Sequence, residues 1–149
     1  MSEVPTTVRQ MAEHMATSVP QAAALGFRLL SVDVARGSIE APWREDLVGD
    51  PDTQVISGGV VITLLDHTCG LAMSSSAFAG TAPFSTATLD LRIDYMRAAA
   101  PRAGVVAEAH CYKLTRTIGF VRAEAWDEDR SDPIATAQAA FALTGPRPA

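Results

Sequence analysis

Asp66 sits within a run of apolar residues, with Val60, Val61, Ile62, Leu64 and Leu65 before it and Leu71, Ala72 and Met73 after it. Such a run, longer than a strand and apolar almost all round, predicts a helix buried on most of its circumference. An ionised carboxylate there is costly unless something offsets its desolvation, so Asp66 is a candidate general base or nucleophile. The alternative is a side chain on an exposed edge of the helix, or one that caps a neighbouring backbone group. Just upstream, Ser57-Gly58-Gly59 opens the same helix. Ser57 is a good N-cap, and two glycines let a ligand come close to the free N–H groups of the first turn. Those donors and the positive end of the helix dipole suit an oxyanion developing on a carbonyl. Taken alone, the three residues are accounted for by a plain capped helix with glycine for tight packing.

Together the two features set a geometric condition. Gly58 and Asp66 are eight positions apart on one helix, a rise of ~12 Å. They cannot both touch one carbonyl. A shared site needs Gly58 from one chain and Asp66 from another, brought together across a two-fold axis. The neighbouring His67 does not share a helix face with Asp66, so it reads as a packed or interface residue and not as half of a dyad. His14 and His110 lack metal-ligand spacing to any Cys or Asp cluster, and no metal site is expected. Thr88, a strand residue, would by itself read as structural.

The elements that must position these residues follow from the patterning. Thr6 to Ser18 reads as a short helix with Val8, Met11 and Met15 on one face, ended by Pro20. Phe27 to Ala35 and Ser38 to Pro42 read as strands around a turn at Ala35 to Ser38, and Asp46 to Gln54 as a polar loop. The helix is expected to close in a loop from Ser74 to Ser85, containing Gly80 and Pro83. Four strands follow: Thr86 to Met96, Val105 to Leu114, Ile118 to Trp126 and Ile134 to Leu143. In the first of them Leu89, Leu91, Ile93 and Tyr95 alternate with Asp90, Arg92 and Asp94. The short connections favour antiparallel neighbours, so an antiparallel sheet around one greasy helix is the economical architecture, an α+β fold.

Composition narrows the function. The chain has 149 residues, 48% of them hydrophobic and 19% charged, and a formal net charge of -5. With no Lys/Arg run, it lacks the electrostatic footprint of a nucleic-acid binder. Asp66, His67 and a serine cluster interrupt the apolar stretch from Val55 to Ala79, so no membrane span is expected. Residues Met1 to Val19 carry no basic stretch followed by an apolar one. With two cysteines outside any framework, the expectation is a cytoplasmic protein with free thiols.

The stretch Ser57-Gly58-Gly59-Val60-Val61-Ile62-Thr63-Leu64-Leu65-Asp66, followed by Ala87-Thr88-Leu89-Asp90-Leu91-Arg92-Ile93-Asp94-Tyr95-Met96-Arg97, resembles the hotdog-fold acyl-CoA thioesterases of the phenylacetate-pathway (PaaI-like) type. The likeness runs from about Leu25 to Leu143 and includes Gly119-Phe120 at the start of a later strand. It implies a hotdog domain over residues 25–145, with residues 1–24 as an N-terminal helical extension. It implies that the backbone N–H of Gly58 polarises a thioester carbonyl, that Asp66 is the base or nucleophile, and that Thr88 orients the water or the carboxylate. Ser57 and Gly59 then border the substrate, and Arg97, Arg102 and Arg116, near strand ends, are candidates for the phosphates of CoA, Arg97 and Arg116 foremost; each taken singly reads as a solvated surface arginine. The resemblance also implies a site built between subunits of a homodimer or a tetramer, needing neither metal nor organic cofactor. One departure stands out. Ser57 occupies the place of the histidine usual in the family's HGG motif, and no asparagine is evident in the preceding loop, where Asp50 and Asp52 lie. A non-catalytic hotdog protein that binds or senses an acyl-CoA is therefore the rival expectation. A dehydratase on the same fold is less attractive, because no histidine stands beside the helix in a catalytic place.

Overall fold

The computed structural model describes residues 6–78 and 84–145. At its centre lies α3 (Gly58–Ala77), whose buried side chains include Val61, Leu64, Leu65, Leu71 and Met73. Val60, Val61 and Ile62 are poor helix formers, so burial and not local propensity holds this segment helical. Hydroxyl groups inside it stay satisfied by bonding back to the helix: Thr68 Oγ1 donates to Leu64 O at 2.7 Å and Ser75 Oγ to Ala72 O at 3.0 Å.

Six antiparallel strands form the sheet, in the order β1-β2-β6-β7-β8-β5. They are β1 (Arg28–Asp33), β2 (Arg36–Ala41), β5 (Ser85–Tyr95), β6 (Val105–Leu114), β7 (Ile118–Trp126) and β8 (Ala135–Thr144). Alternate residues along most of β6, β7 and β8 are buried and mainly small, among them Ala107, Ala109, Ala123, Ala125, Ala135 and Ala137. Across the strands, Gly37, Ala109, Ala123 and Ala137 stand side by side. A sheet face this shallow lets the backbone close tightly on α3, and the helix supplies the bulk that fills the core. The tightest approaches are at two glycines. A Cβ on Gly37 would lie 2.6 Å from Leu71 Cδ2, and one on Gly119 would lie 2.0 Å from Met73 Sδ.

The expected α+β architecture of one long helix covered by an antiparallel sheet is present, and several local expectations are corrected. Pro20 does not merely end the first helix α1 (Thr6–Thr17); it opens a second, α2 (Pro20–Leu25), where its fixed φ suits the first turn and Gly26 closes the end at φ 71°. The hairpin turn falls at Val34-Ala35, earlier than expected, with Ala35 at φ 63° and Asp33 paired to Arg36. The polar loop contains a 3-10 turn (Glu45–Leu47) and half of a small hairpin, β3 (Val48–Asp50) with β4 (Val55–Ile56). The long helix continues past Ser74 to Ala77, while Gly80 and Pro83 lie outside the described residues. In β5 the alternation breaks. A bulge lies between Thr88 and Asp90, leaving Leu89 as the extra residue.

The Gly119 contact gives a direct test. Because Met73 is fully buried, Gly119→Ala forces it to move, and the variant is expected to lose about 1–3 kcal/mol of stability. Gly59→Ala, whose added methyl would meet only Ser57 Oγ at 3.5 Å, should be close to neutral by comparison. Denaturant unfolding midpoints measure both.

Candidate functional site

Gly58, Ile62 and Asp66 recur at intervals of four and share one face of α3. That face lies along β5, the edge strand of the sheet. At one end Tyr95 Oη donates to Gly58 O at 2.6 Å; at the other Thr88 Oγ1 donates to Asp66 Oδ1 at 2.9 Å. Between them Ile62 is 43% exposed, and on the strand Leu89, Tyr95 and Met96 are 59%, 49% and 57% exposed. This apolar strip beside an unpaired strand edge is the kind of surface that a second chain covers. Asp66 is half-buried.

The start of α3 is held from several sides. Ser57 takes extended dihedrals (φ -60°, ψ 141°), and its Oγ accepts from Gly59 N–H at 3.1 Å. Ser57 O accepts from Val60 N–H and Val61 N–H, and Ser57 N–H donates to Leu47 O at 2.8 Å. Among the described residues Gly58 N–H meets no acceptor, and Gly58 is exposed. The serine cap therefore uses the second glycine and leaves the first as an open donor. Tyr95 pins the Gly58 carbonyl and so fixes the tilt of that first peptide plane. An open cavity of about 420 Å³, lined by Val55, Ile56, Gly58, Tyr95, Met96 and Ile134 among others, abuts this turn.

The remaining candidates separate. Arg97 is committed internally. Its Nη1 and Nη2 donate to the two oxygens of Asp127 at 2.9 and 2.6 Å, Nη2 also reaches Asp132 O, and Nε lies 3.1 Å from Asp132 Oδ2. Asp127 is buried and also accepts from Ala100 N–H and Glu128 N–H. The Arg97 guanidinium beside it, more than any other group, holds its carboxyl well below the usual carboxylate range. This cluster ties the segment after β5 to the turn before β8. Arg116 lies exposed on the connection between β6 and β7. His67 packs near Phe27, with ring centroids 6.0 Å apart, and its Nε2 contacts Met15 O, so it ties α3 to α1. Burial pushes the Cys69 thiol up to about 12, and Cys111 is buried as well.

Sequence reasoning missed Tyr95 as a partner of Gly58. Strict alternation puts Thr88 on the face opposite Tyr95, yet both reach α3, because the bulge shifts the phase between them. No residue type in Thr88-Leu89-Asp90 signals that bulge.

Residues 53–134 match the family model of the thioesterase superfamily, a span that includes Ser57, Asp66, Thr88, Arg97 and Arg116. The comparison with curated proteins gave no match. Among solved structures the chain is similar to a Pseudomonas aeruginosa protein at 31% identity, covering 91% of this chain and 98% of that one with a TM-score of 0.78. It is similar to a mutant of the phenylacetic acid degradation protein PaaI from Thermus thermophilus at 25% identity, covering 83% and 98% with a TM-score of 0.69. It shares its fold with PaaI from the phenylacetic acid degradation operon of E. coli (17% identity, 97% and 99% covered, TM-score 0.81). The fold is the hotdog, and the chain belongs to the thioesterase superfamily.

The Asp127 cluster yields a pH test. A carboxyl with a depressed folded pKa stabilises the protein above its ordinary titration range, and that contribution is lost as pH falls. Stability is expected to drop below about pH 4. Asp127→Asn should cost roughly 2–3 kcal/mol at pH 7 and should flatten that acid limb. Urea unfolding at several pH values checks both expectations.

Proposed function

We propose that the protein is an acyl-CoA thioesterase whose active site joins Gly58 of one chain to Asp66 of another. The observation that carries this reading is the placement of both groups on one exposed strip of α3, beside the edge strand β5. Gly58 N–H is open at one end, and at the other Thr88 fixes one oxygen of Asp66. Two such strips related by a two-fold axis run antiparallel. Each Gly58 is then brought toward the partner's carboxylate, as the ~12 Å separation within one chain requires.

In the reaction, Gly58 N–H and the dipole of α3 stabilise the negative charge that develops on the thioester oxygen. Asp66 takes a proton from the attacking water, or attacks the carbonyl carbon itself; Thr88 leaves the second carboxylate oxygen directed at the substrate. The carbon–sulfur bond breaks, and the departing CoA thiolate takes up a proton. No step calls for a metal or an organic cofactor. Ser57 in place of the family histidine fits this reading, because its cap acts on Gly59 and leaves Gly58 free. Arg116, exposed on its turn, is our candidate for the phosphates of CoA, whereas Arg97 has a structural role. Residues 25–145 form the catalytic domain in this proposal, and residues 1–24 an accessory extension that clamps α3 through Met15 and His67.

The test is thiol release from a panel of aliphatic and aromatic acyl-CoA substrates, followed colorimetrically. Wild-type protein is expected to hydrolyse at least one member. Asp66→Asn should cut turnover by roughly 10²–10⁴-fold without changing the assembly or its unfolding midpoint. Tight binding with no thiol release from any substrate would instead favour the sensing protein, and wild-type turnover by the variant would exclude Asp66.

A further inference from the structure

We propose that a cavity beyond Asp66 takes the acyl group of the substrate, and that this group is a medium-length apolar chain with a hydroxyl near its far end. The inference rests on the hydrolytic reading and deepens it, since it names the substrate class of the same site.

The row of α3 residues that carries Gly58, Ile62 and Asp66 continues, at the same interval of four, through Gly70 to Ser74. Gly70 presents no side chain, so none on that row stands between the carboxylate and Ser74. A Cβ at Gly70 would lie 3.8 Å from Phe141 Cε1 and 4.0 Å from Met15 Cε. Alongside, Thr86 precedes Thr88 by two residues on β5, ahead of the bulge, and so shares its side of the strand. Ser74 and Thr86 both line an open cavity of about 390 Å³, walled by Met11 and Met15 of α1 and by Phe78 and Phe84. Thr86 lies about 7 Å from Thr88 along the strand, and Ser74 ~12 Å from Asp66 along the helix.

The lining selects the ligand. Among the described residues no charged side chain borders the cavity, so an acyl group ending in a carboxylate would be costly to bury there. The four large apolar side chains suit a hydrocarbon chain, and the two methionines adapt to a flexible one. Ser74 adds a requirement. It is only 4% exposed, yet its Oγ makes no hydrogen bond among the described residues, whereas Thr68 and Ser75 bond back to Leu64 O and Ala72 O. A buried hydroxyl is costly without a partner, and a hydroxyl on the acyl group supplies one. Thr86, whose hydroxyl is likewise free among the described residues, offers a second contact.

Reach sets the length. An extended chain advances ~1.2 Å per bond, so a span of about 7–12 Å corresponds to roughly six to ten bonds from the thioester carbonyl. A compact aryl group such as phenylacetyl ends short of Ser74. The wall supplied by α1 lies outside the span that matches the family model, residues 53–134. Met11 and Met15 are therefore specificity-determining residues of this chain's own N-terminal extension. His67 holds that wall in place through Met15 O.

The test compares thiol release from butanoyl-, octanoyl-, ω-hydroxyoctanoyl-, phenylacetyl- and octanedioyl-CoA. Calorimetry adds the binding of two thioethers that cannot be hydrolysed, S-octyl-CoA and S-(ω-hydroxyoctyl)-CoA. Wild type should prefer ω-hydroxyoctanoyl-CoA to octanoyl-CoA by about five- to tenfold in kcat/KM. It should prefer octanoyl-CoA to octanedioyl-CoA by ~100-fold or more, and phenylacetyl-CoA should fall below octanoyl-CoA. Ser74→Ala should erase the advantage of the hydroxyl, in turnover and in Kd. Met11→Trp, which fills the cavity, should lower the ratio of octanoyl to butanoyl turnover roughly tenfold or more. Circular dichroism checks folding, and Ser74→Ala, which removes one oxygen, decides the matter alone if Met11→Trp does not fold. A hydroxyl advantage that is absent from wild type or untouched by Ser74→Ala overturns the proposal and leaves the hydrolytic reading standing. If no thioester is hydrolysed, the hydrolytic reading falls and the thioethers still judge the cavity: an equal Kd of wild type and Ser74→Ala for S-(ω-hydroxyoctyl)-CoA overturns its assignment.

Discussion

The packing of one bulky helix into a sheet lined with small residues is the constraint from which the rest follows. Alanines at alternate positions of β6, β7 and β8, with Gly37 and Gly119 at the closest approaches, bring the sheet backbone down onto Leu71 and Met73. Burying the large side chains of α3 in this way supplies the apolar stabilisation of the core. It also fixes the rotation of the helix about its axis. With Leu64 and Leu71 buried on one side of the helix, the face carrying Gly58, Ile62 and Asp66 lies on the other, where Tyr95 and Thr88 of β5 meet it.

That rotation separates a structural face from the one we propose to be reactive. On this second face the polar groups are few, and most have a partner that sets their direction. Tyr95 holds the Gly58 carbonyl, Ser57 occupies Gly59 N–H, and Thr88 occupies one oxygen of Asp66. The groups left over are one backbone N–H and one carboxylate oxygen, too far apart to serve a single carbonyl within one chain. The ion pair of Arg97 with Asp127, just past the end of β5, ties the segment after that strand to the turn before β8.

Much of this could be read from the residues. The all-round apolar run from Val60 to Met73 announced a core helix, and the alternation in the later strands announced an antiparallel sheet. The β7 boundaries match those expected, and Ser57-Gly58-Gly59 marked the helix start. What local patterns do not encode is tertiary compensation. Pro20 reads equally as the end of one helix and the start of the next, because its ring is tolerated at both places. The bulge at Leu89 leaves no mark, since any residue fits it, yet it decides that Thr88 and Tyr95 both face α3. Arg97 looked available for a ligand because its partners Asp127 and Asp132 lie some thirty residues away in sequence.

The central claim is that each site takes Gly58 from one chain and Asp66 from its partner, and subunit complementation tests it most directly. Gly58 is the first residue of α3, Ser57 before it has dihedrals that suit a following proline, and a Cβ there meets nothing nearer than Tyr95 Oη at 3.5 Å. Gly58→Pro therefore removes the donor and spares the helix. Mixed and re-equilibrated with Asp66→Asn, two inactive proteins should form dimers with one intact site each, recovering about a quarter of wild-type thiol release. If the mixture stays as inactive as its components while mixed dimers are shown to form, the shared site is contradicted.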